Sequence, residues 1–101
     1  MKKSKSIFTI RRKRNERHPQ IIIDANKISF KSMSLTHSKK SGNRNNIALI
    51  KNPNRNDKRK AYVSKRIIEN FKFLYSKAFQ NYVLSNEDIE ELIKFLESKK
   101  K

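Results

Sequence analysis

A small mainly β domain of the α+β class is the fold this 101-residue chain predicts: a partly open antiparallel β-barrel with one C-terminal amphipathic helix. Three observations lead there. Through the first two thirds, apolar residues fall in short β-branched or alternating runs such as Ile21-Ile22-Ile23. Polar turn formers separate these runs. A clear helical period appears only after Leu84. Strands followed by a terminal helix bury their apolar faces as a sheet, or a curled sheet, covered by that helix.

The first strand is expected over Ser6 to Ile10 and the second over Gln20 to Asp24, preceded by Pro19, which suits the start of a strand better than its middle. Asp24-Ala25-Asn26-Lys27 reads as a turn. A third strand runs from Ile28 to Thr36. Its alternation is partial, so Phe30, Met33 and Leu35 are shared between a core face and a bulge. Ser38 to Asn46, which holds the single glycine, Gly42, reads as a mobile polar loop. Ile47 to Ile50 is a short buried strand, Asn52 to Asp57 a turn region around Pro53, and Ala61 to Ile68 a further strand.

Glu69 to Tyr82 is ambiguous between strand and helix. Its aromatics Phe71, Phe73, Tyr75, Phe79 and Tyr82 are assigned to the core, because the chain lacks tryptophan and has few other large apolar groups. Ser85 with Asp88 three residues on gives a start close to a capping box, and Ile89, Leu92, Ile93 and Leu96 follow at helical spacing. Glu87, Asp88, Glu90 and Glu91 are read as helix-start and solvated-face carboxylates. The whole of 1–101 is expected to form one basic domain, with 1–6 and 98–101 as flexible ends.

Charge divides the chain. Up to Arg66, 20 Lys/Arg face three carboxylates, while from Ile67 onward six lysines face six carboxylates. The formal net charge of +17 therefore sits entirely in the first part. Such a density repels itself unless a polyanion neutralises it, which points to nucleic acid. The phosphate-binding candidates are Arg11, Arg12, Lys13, Arg14, Lys39, Lys40, Arg44, Lys58, Arg59, Lys60, Lys65 and Arg66. Tyr62, between two basic runs, is a base-stacking candidate. Cysteine is absent, which excludes disulfides and thiolate zinc sites and fits a reducing cytoplasm. The N-terminal apolar run is broken at Arg11, too soon for a signal-peptide core, and no stretch approaches a membrane span, so no membrane partner is expected. Neither a metal nor a cofactor is expected.

The candidates for chemistry are few. His18 and His37 are an acid/base pair if the strands bring them together, since imidazole ordinarily titrates near neutrality. Asp24 and Asp57 sit in turn-forming contexts and are assigned structural roles.

Taken in order, Arg17-His18-Pro19-Gln20-Ile21-Ile22-Ile23, then Ser34-Leu35-Thr36-His37-Ser38, a variable loop, Ala61-Tyr62-Val63 and finally Leu84-Ser85-Asn86-Glu87-Asp88 resembles the MazF/PemK family of toxin ribonucleases over about residues 7 to 97. The resemblance implies a small β-barrel forming a two-fold homodimer, RNA rather than DNA as the ligand, and metal-independent endoribonuclease activity of a toxin–antitoxin system. It also implies an acidic antitoxin as partner. Cleavage would proceed by attack of a 2′-hydroxyl on the neighbouring phosphate. The arginine beside the proline corresponds to Arg17 or His18, and the hydroxyl at the end of the later strand to Thr36, with Ser38 nearby. The chain departs from the pattern in placing His18 directly before Pro19, where the family has arginine. The expected reaction centre is Arg17, His18, Thr36 and His37. The alternative is a non-catalytic nucleic-acid-binding accessory protein of a phage, plasmid or ribonucleoprotein complex.

Overall fold

The computed structural model describes residues 7–99. Its strands are β1 (Ile10–Arg11), β2 (Gln20–Ala25), β3 (Ser29–Thr36), β4 (Lys40–Ser41), β5 (Arg44–Asn45), β6 (Ile47–Ala48) and β7 (Tyr62–Phe71), and the helix α1 spans Asn86–Ser98. One antiparallel sheet has the order β1-β2-β3-β7-β6, and β4 with β5 forms a separate hairpin. A mainly antiparallel β architecture with one C-terminal helix is therefore observed. No closed barrel forms among the described residues, and β1 and β6 are the sheet edges. No helix among these residues is long and apolar enough to cross a membrane.

The isoleucine run explains the centre of the sheet. Successive side chains of a strand point to opposite faces, so three consecutive buried isoleucines require cover on both sides. Ile21 and Ile23 join Ile10, Met33, Leu35, Leu49, Ala61, Val63, Leu84 and Leu92 in the main cluster, while Ile22 packs with Phe30 and Tyr75 on the other face. The bulge expected in β3 falls on its partner instead: between the pairs Met33–Ile67 and Leu35–Val63 only Ser34 intervenes on β3, against Ser64, Lys65 and Arg66 on β7, so the extra residues lie in β7. A second shift lies in β2 between Ile22 and Asp24.

Buried polar groups on the second face are paired. Gln20 Nε2 donates to Ser34 Oγ at 2.8 Å and to the His18 carbonyl at 3.1 Å, and Ser32 Oγ donates to Gln20 Oε1 at 3.0 Å. Ser32 Oγ also lies 3.0 Å from the Tyr75 hydroxyl, whose pKa is raised chiefly by burial. This network fixes the chain where it passes from His18 into β2.

At α1, Ser85 Oγ accepts from the Asp88 backbone N–H at 3.1 Å, as the capping pattern predicts. Asp88 departs from its expected solvated position. It is 1 % exposed, and its two carboxylate oxygens accept from the backbone N–H groups of Ile50 at 2.8 Å and Lys51 at 3.2 Å. The helix start thus holds the beginning of the loop that leads to β7.

Three further expectations are corrected. The Ser38 to Asn46 segment is a hairpin rather than a loop: Gly42 supplies the positive φ of 61° that a two-residue turn needs, and the buried Asn46 amide donates to the Ser38 carbonyl and Ser41 Oγ. In the Glu69 to Tyr82 segment, β7 continues to Phe71, a 3-10 turn covers Lys72–Leu74, and no α-helix forms. Of its aromatics, Tyr75 is buried and Phe79 and Tyr82 pack against the core, but Phe71 and Phe73 are exposed. At the chain ends, 1–6 and 100–101 lie outside the described residues, whereas Ser98 ends α1 and Lys99 is its C-cap.

Candidate functional site

The end of β3 carries the expected residues Thr36 and His37. Thr36 is buried opposite Tyr62 of β7, and its Oγ1 accepts from the Ser38 N–H at 3.2 Å. His37, the next residue, is exposed, and its Nε2 lies 2.7 Å from Asp57 Oδ2. Tyr62 is half-buried. Thr36, His37, Tyr62 and the Asp57 loop therefore meet at one end of the sheet.

Asp57 was expected to be a turn former only. It does form the turn, and its carboxylate also collects partners from two directions. Oδ1 accepts from the Arg59 backbone N–H and from Arg59 Nε, each at 3.0 Å, and Oδ2 accepts from an Arg59 terminal nitrogen at 3.1 Å. The other direction is His37. These bonds, those of Arg59 foremost, hold the Asp57 carboxyl well below the usual carboxylate range. An ionised Asp57 accepts and does not donate, so the His37 Nε2 that meets it carries a hydrogen.

The loop is built by successive short-range bonds. Asn52 Oδ1 accepts from the Asn54 N–H at 2.9 Å, Asn54 Oδ1 from the Asn56 N–H at 3.1 Å, and the Asn52 amide donates to the Arg59 carbonyl at 3.0 Å. Such side-chain-to-backbone bonds are what asparagine-rich turns favour. The Pro53 carbonyl accepts from the Val83 N–H at 3.0 Å, and Asp88 holds the loop's start. A shallow open depression of about 660 Å³ lies along the loop, with Lys51, Arg55, Lys58 and Lys60 among its lining.

Arg17 and His18 approach from β2. The ladder pairs Gln20 with Ser34, and the Leu35 N–H donates to the Pro19 carbonyl at 2.8 Å. His18 and Thr36 are the next residues outward on these adjacent chains. Both Arg17 and His18 are exposed.

The basic candidates divide by what they touch. Lys39, Lys40 and Arg44 are exposed on the β4–β5 hairpin, Lys58 and Lys60 on the Asp57 loop, and Arg66 on β7, while Lys65 is half-buried. Arg12 and Arg14 are exposed around the turn after β1. Three cations are engaged within the fold. Arg11 donates to the Ser76 carbonyl at 3.1 Å and lies 4.9 Å from the Phe30 ring centroid, and burial lowers its pKa. Lys13 is buried, with Nζ donating to the Arg14 carbonyl at 3.3 Å. Arg59 is committed to Asp57.

One expected result concerns this cluster. Asp57 has a folded-state pKa below its unfolded value, so its stabilising contribution is in place above about pH 4 and is lost as the pH falls toward the folded value. Arg59→Ala removes the main cause of the depression. The midpoint of the Asp57 carboxyl carbon shift in an NMR titration then moves up toward the ordinary carboxylate value, and the acid limb of stability moves with it.

No family model, curated protein or solved structure matches this chain significantly, so the functional reading rests on its own charge and geometry.

Proposed function

We propose that the protein is an RNA-binding, metal-independent endoribonuclease of the MazF/PemK toxin type, restrained by an acidic antitoxin that competes for its basic surface. The observation that carries this reading is His37 held by ionised Asp57 beside Thr36, within a chain of net charge +17. His37 Nδ1 takes the proton of a ribose 2′-hydroxyl, whose oxygen attacks the adjacent phosphorus. The bond from phosphorus to the 5′-oxygen breaks, and His18 supplies the proton to that leaving oxygen. Arg17 and Thr36 hold the non-bridging oxygens as negative charge builds on them. The products are a 2′,3′-cyclic phosphate and a free 5′-hydroxyl.

A partly open barrel and a two-fold homodimer belong to the same proposal. Supporting the barrel, the chain beyond β7 returns to the β1 edge: Arg14 N–H donates to the Leu74 carbonyl at 2.8 Å, Ser76 N–H to Arg12 at 2.7 Å and Phe79 N–H to Ile10 at 2.8 Å. The second reading is a binding module without cleavage. It is favoured by Arg59, which contacts both oxygens of Asp57 and so weakens the hold of that carboxylate on His37.

Incubation of end-labelled single-stranded RNA and its DNA counterpart with the protein in EDTA separates the two. The nuclease reading expects RNA to be cut and DNA to stay intact; salt-sensitive binding with both strands intact supports the binding module.

A further inference from the structure

Phe71 and Phe73 are unusual among the large apolar residues. They are 52 % and 73 % exposed, yet their rings stack on each other with centroids 5.5 Å apart and planes 13° apart. Phe73 also lines an open depression of about 690 Å³, whose lining takes in the turn that carries Arg12, Arg14 and Arg17 together with one carboxylate, Glu16. The two segments are tied together by the backbone bonds of Arg14 to Leu74 and Ser76 to Arg12, and the intervening Lys72 ammonium sits 5.2 Å from the centroid of the Phe30 ring. The aromatic pair is therefore presented on a braced turn, outside both core clusters.

We infer that this pair is a stacking platform for an unpaired base of single-stranded RNA whose phosphates lie on Arg12, Arg14 and Arg17. The inference rests on the RNA-binding part of the proposed function and specifies single-stranded RNA as the ligand. An exposed phenyl face offers a base a π-surface that requires no sequence, while neighbouring guanidinium groups take the flanking phosphates. The net-basic turn is the complementary feature: a purely apolar protein partner finds charges to desolvate there, whereas a nucleotide finds guanidinium groups for its phosphates, which outnumber the single carboxylate of Glu16. Arg17 adjoins both this depression and the chain entering β2, so a strand stacked on Phe73 continues toward Thr36 and His37. Ile28, 65 % exposed, has its carbonyl bonded to the Lys72 N–H at the same end of the sheet, and it adds no ring to the platform.

The test uses a labelled 2′-O-methyl single strand, which lacks the attacking hydroxyl, and a duplex of the same sequence, with binding followed by fluorescence anisotropy over a range of salt. Phe73→Ala and the double variant Phe71→Leu/Phe73→Leu alter only exposed rings, and circular dichroism confirms that they fold. The expected result is single-strand affinity weakened about tenfold or more in Phe73→Ala, duplex affinity unchanged, and an unchanged salt slope because no phosphate contact is lost. Ile28→Ser leaves single-strand binding at the wild-type level. Equal weakening for single strand and duplex, or no weakening, overturns the platform. A change in sedimentation with unaltered RNA affinity also overturns it, and assigns the patch to a second copy of the chain. Wild-type protein that binds the single strand but leaves ordinary RNA uncut contradicts the nuclease reading alone; failure to bind the single strand removes both.

Discussion

Under the proposed nuclease function, His37→Ala is expected to lower the rate of RNA cleavage by about a hundred- to ten-thousandfold, the range over which a positioned general base acts, while affinity for an uncleavable RNA stays within about twofold. The separation of the two effects follows from the geometry. His37 is a single side chain at the end of β3, and the cations proposed to hold RNA lie on the β4–β5 hairpin, the Asp57 loop and the turn after β1. Asp57→Asn produces a smaller loss. An asparagine at this position can still meet His37, but it can present its amide nitrogen to Nε2, which favours the opposite tautomer and occupies the atom arrangement the base requires. Single-turnover cleavage alongside anisotropy with 2′-O-methyl RNA reads rate and affinity independently. A fall in affinity as large as the fall in rate places His37 in binding rather than in proton transfer.

Asp88→Ala has the largest expected effect on stability, a loss of about 2–4 kcal/mol, because it leaves two backbone N–H groups without their buried side-chain acceptor. Against a small domain's total of about 5–15 kcal/mol, that is a large share. The substitution leaves the Ser85 cap in place but frees Ile50 and Lys51, and through them the loop that carries Asp57. Under the proposed function, cleavage is therefore expected to fall further than the loss of folded protein accounts for. Urea unfolding gives the stability change. Asp88→Asn, which keeps one carbonyl acceptor, loses about half as much.

Much of the frame was legible because local chemistry sets it. The β2 strand follows from the isoleucine run and Pro19, and α1 from Ser85 and the spacing of Ile89, Leu92 and Leu96, whereas the broken alternation of β3 reflects bulges in its partners β7 and β2. The missed features depend on distant partners. Asp57 meets a histidine 20 residues away, and Asp88 meets backbone donors 37 and 38 residues away; neither separation leaves a pattern in the chain. Asp57 and Arg59 stand two apart, close enough for a turn to join carboxylate to guanidinium, and that spacing was the available signal. Gly42-Asn43 was likewise a hairpin signal, masked by polar flanks that gave no alternation. Composition called for aromatics in the core without saying which, so Phe71 and Phe73 were placed inside although the turn after β7 leaves them outside.

The most direct measurement is mass spectrometry of the ends left on single-stranded RNA incubated with the protein in EDTA. The account predicts 2′,3′-cyclic phosphate and 5′-hydroxyl ends with wild-type protein and none with His37→Ala. RNA that is bound but recovered intact, or ends formed equally by His37→Ala, contradicts it.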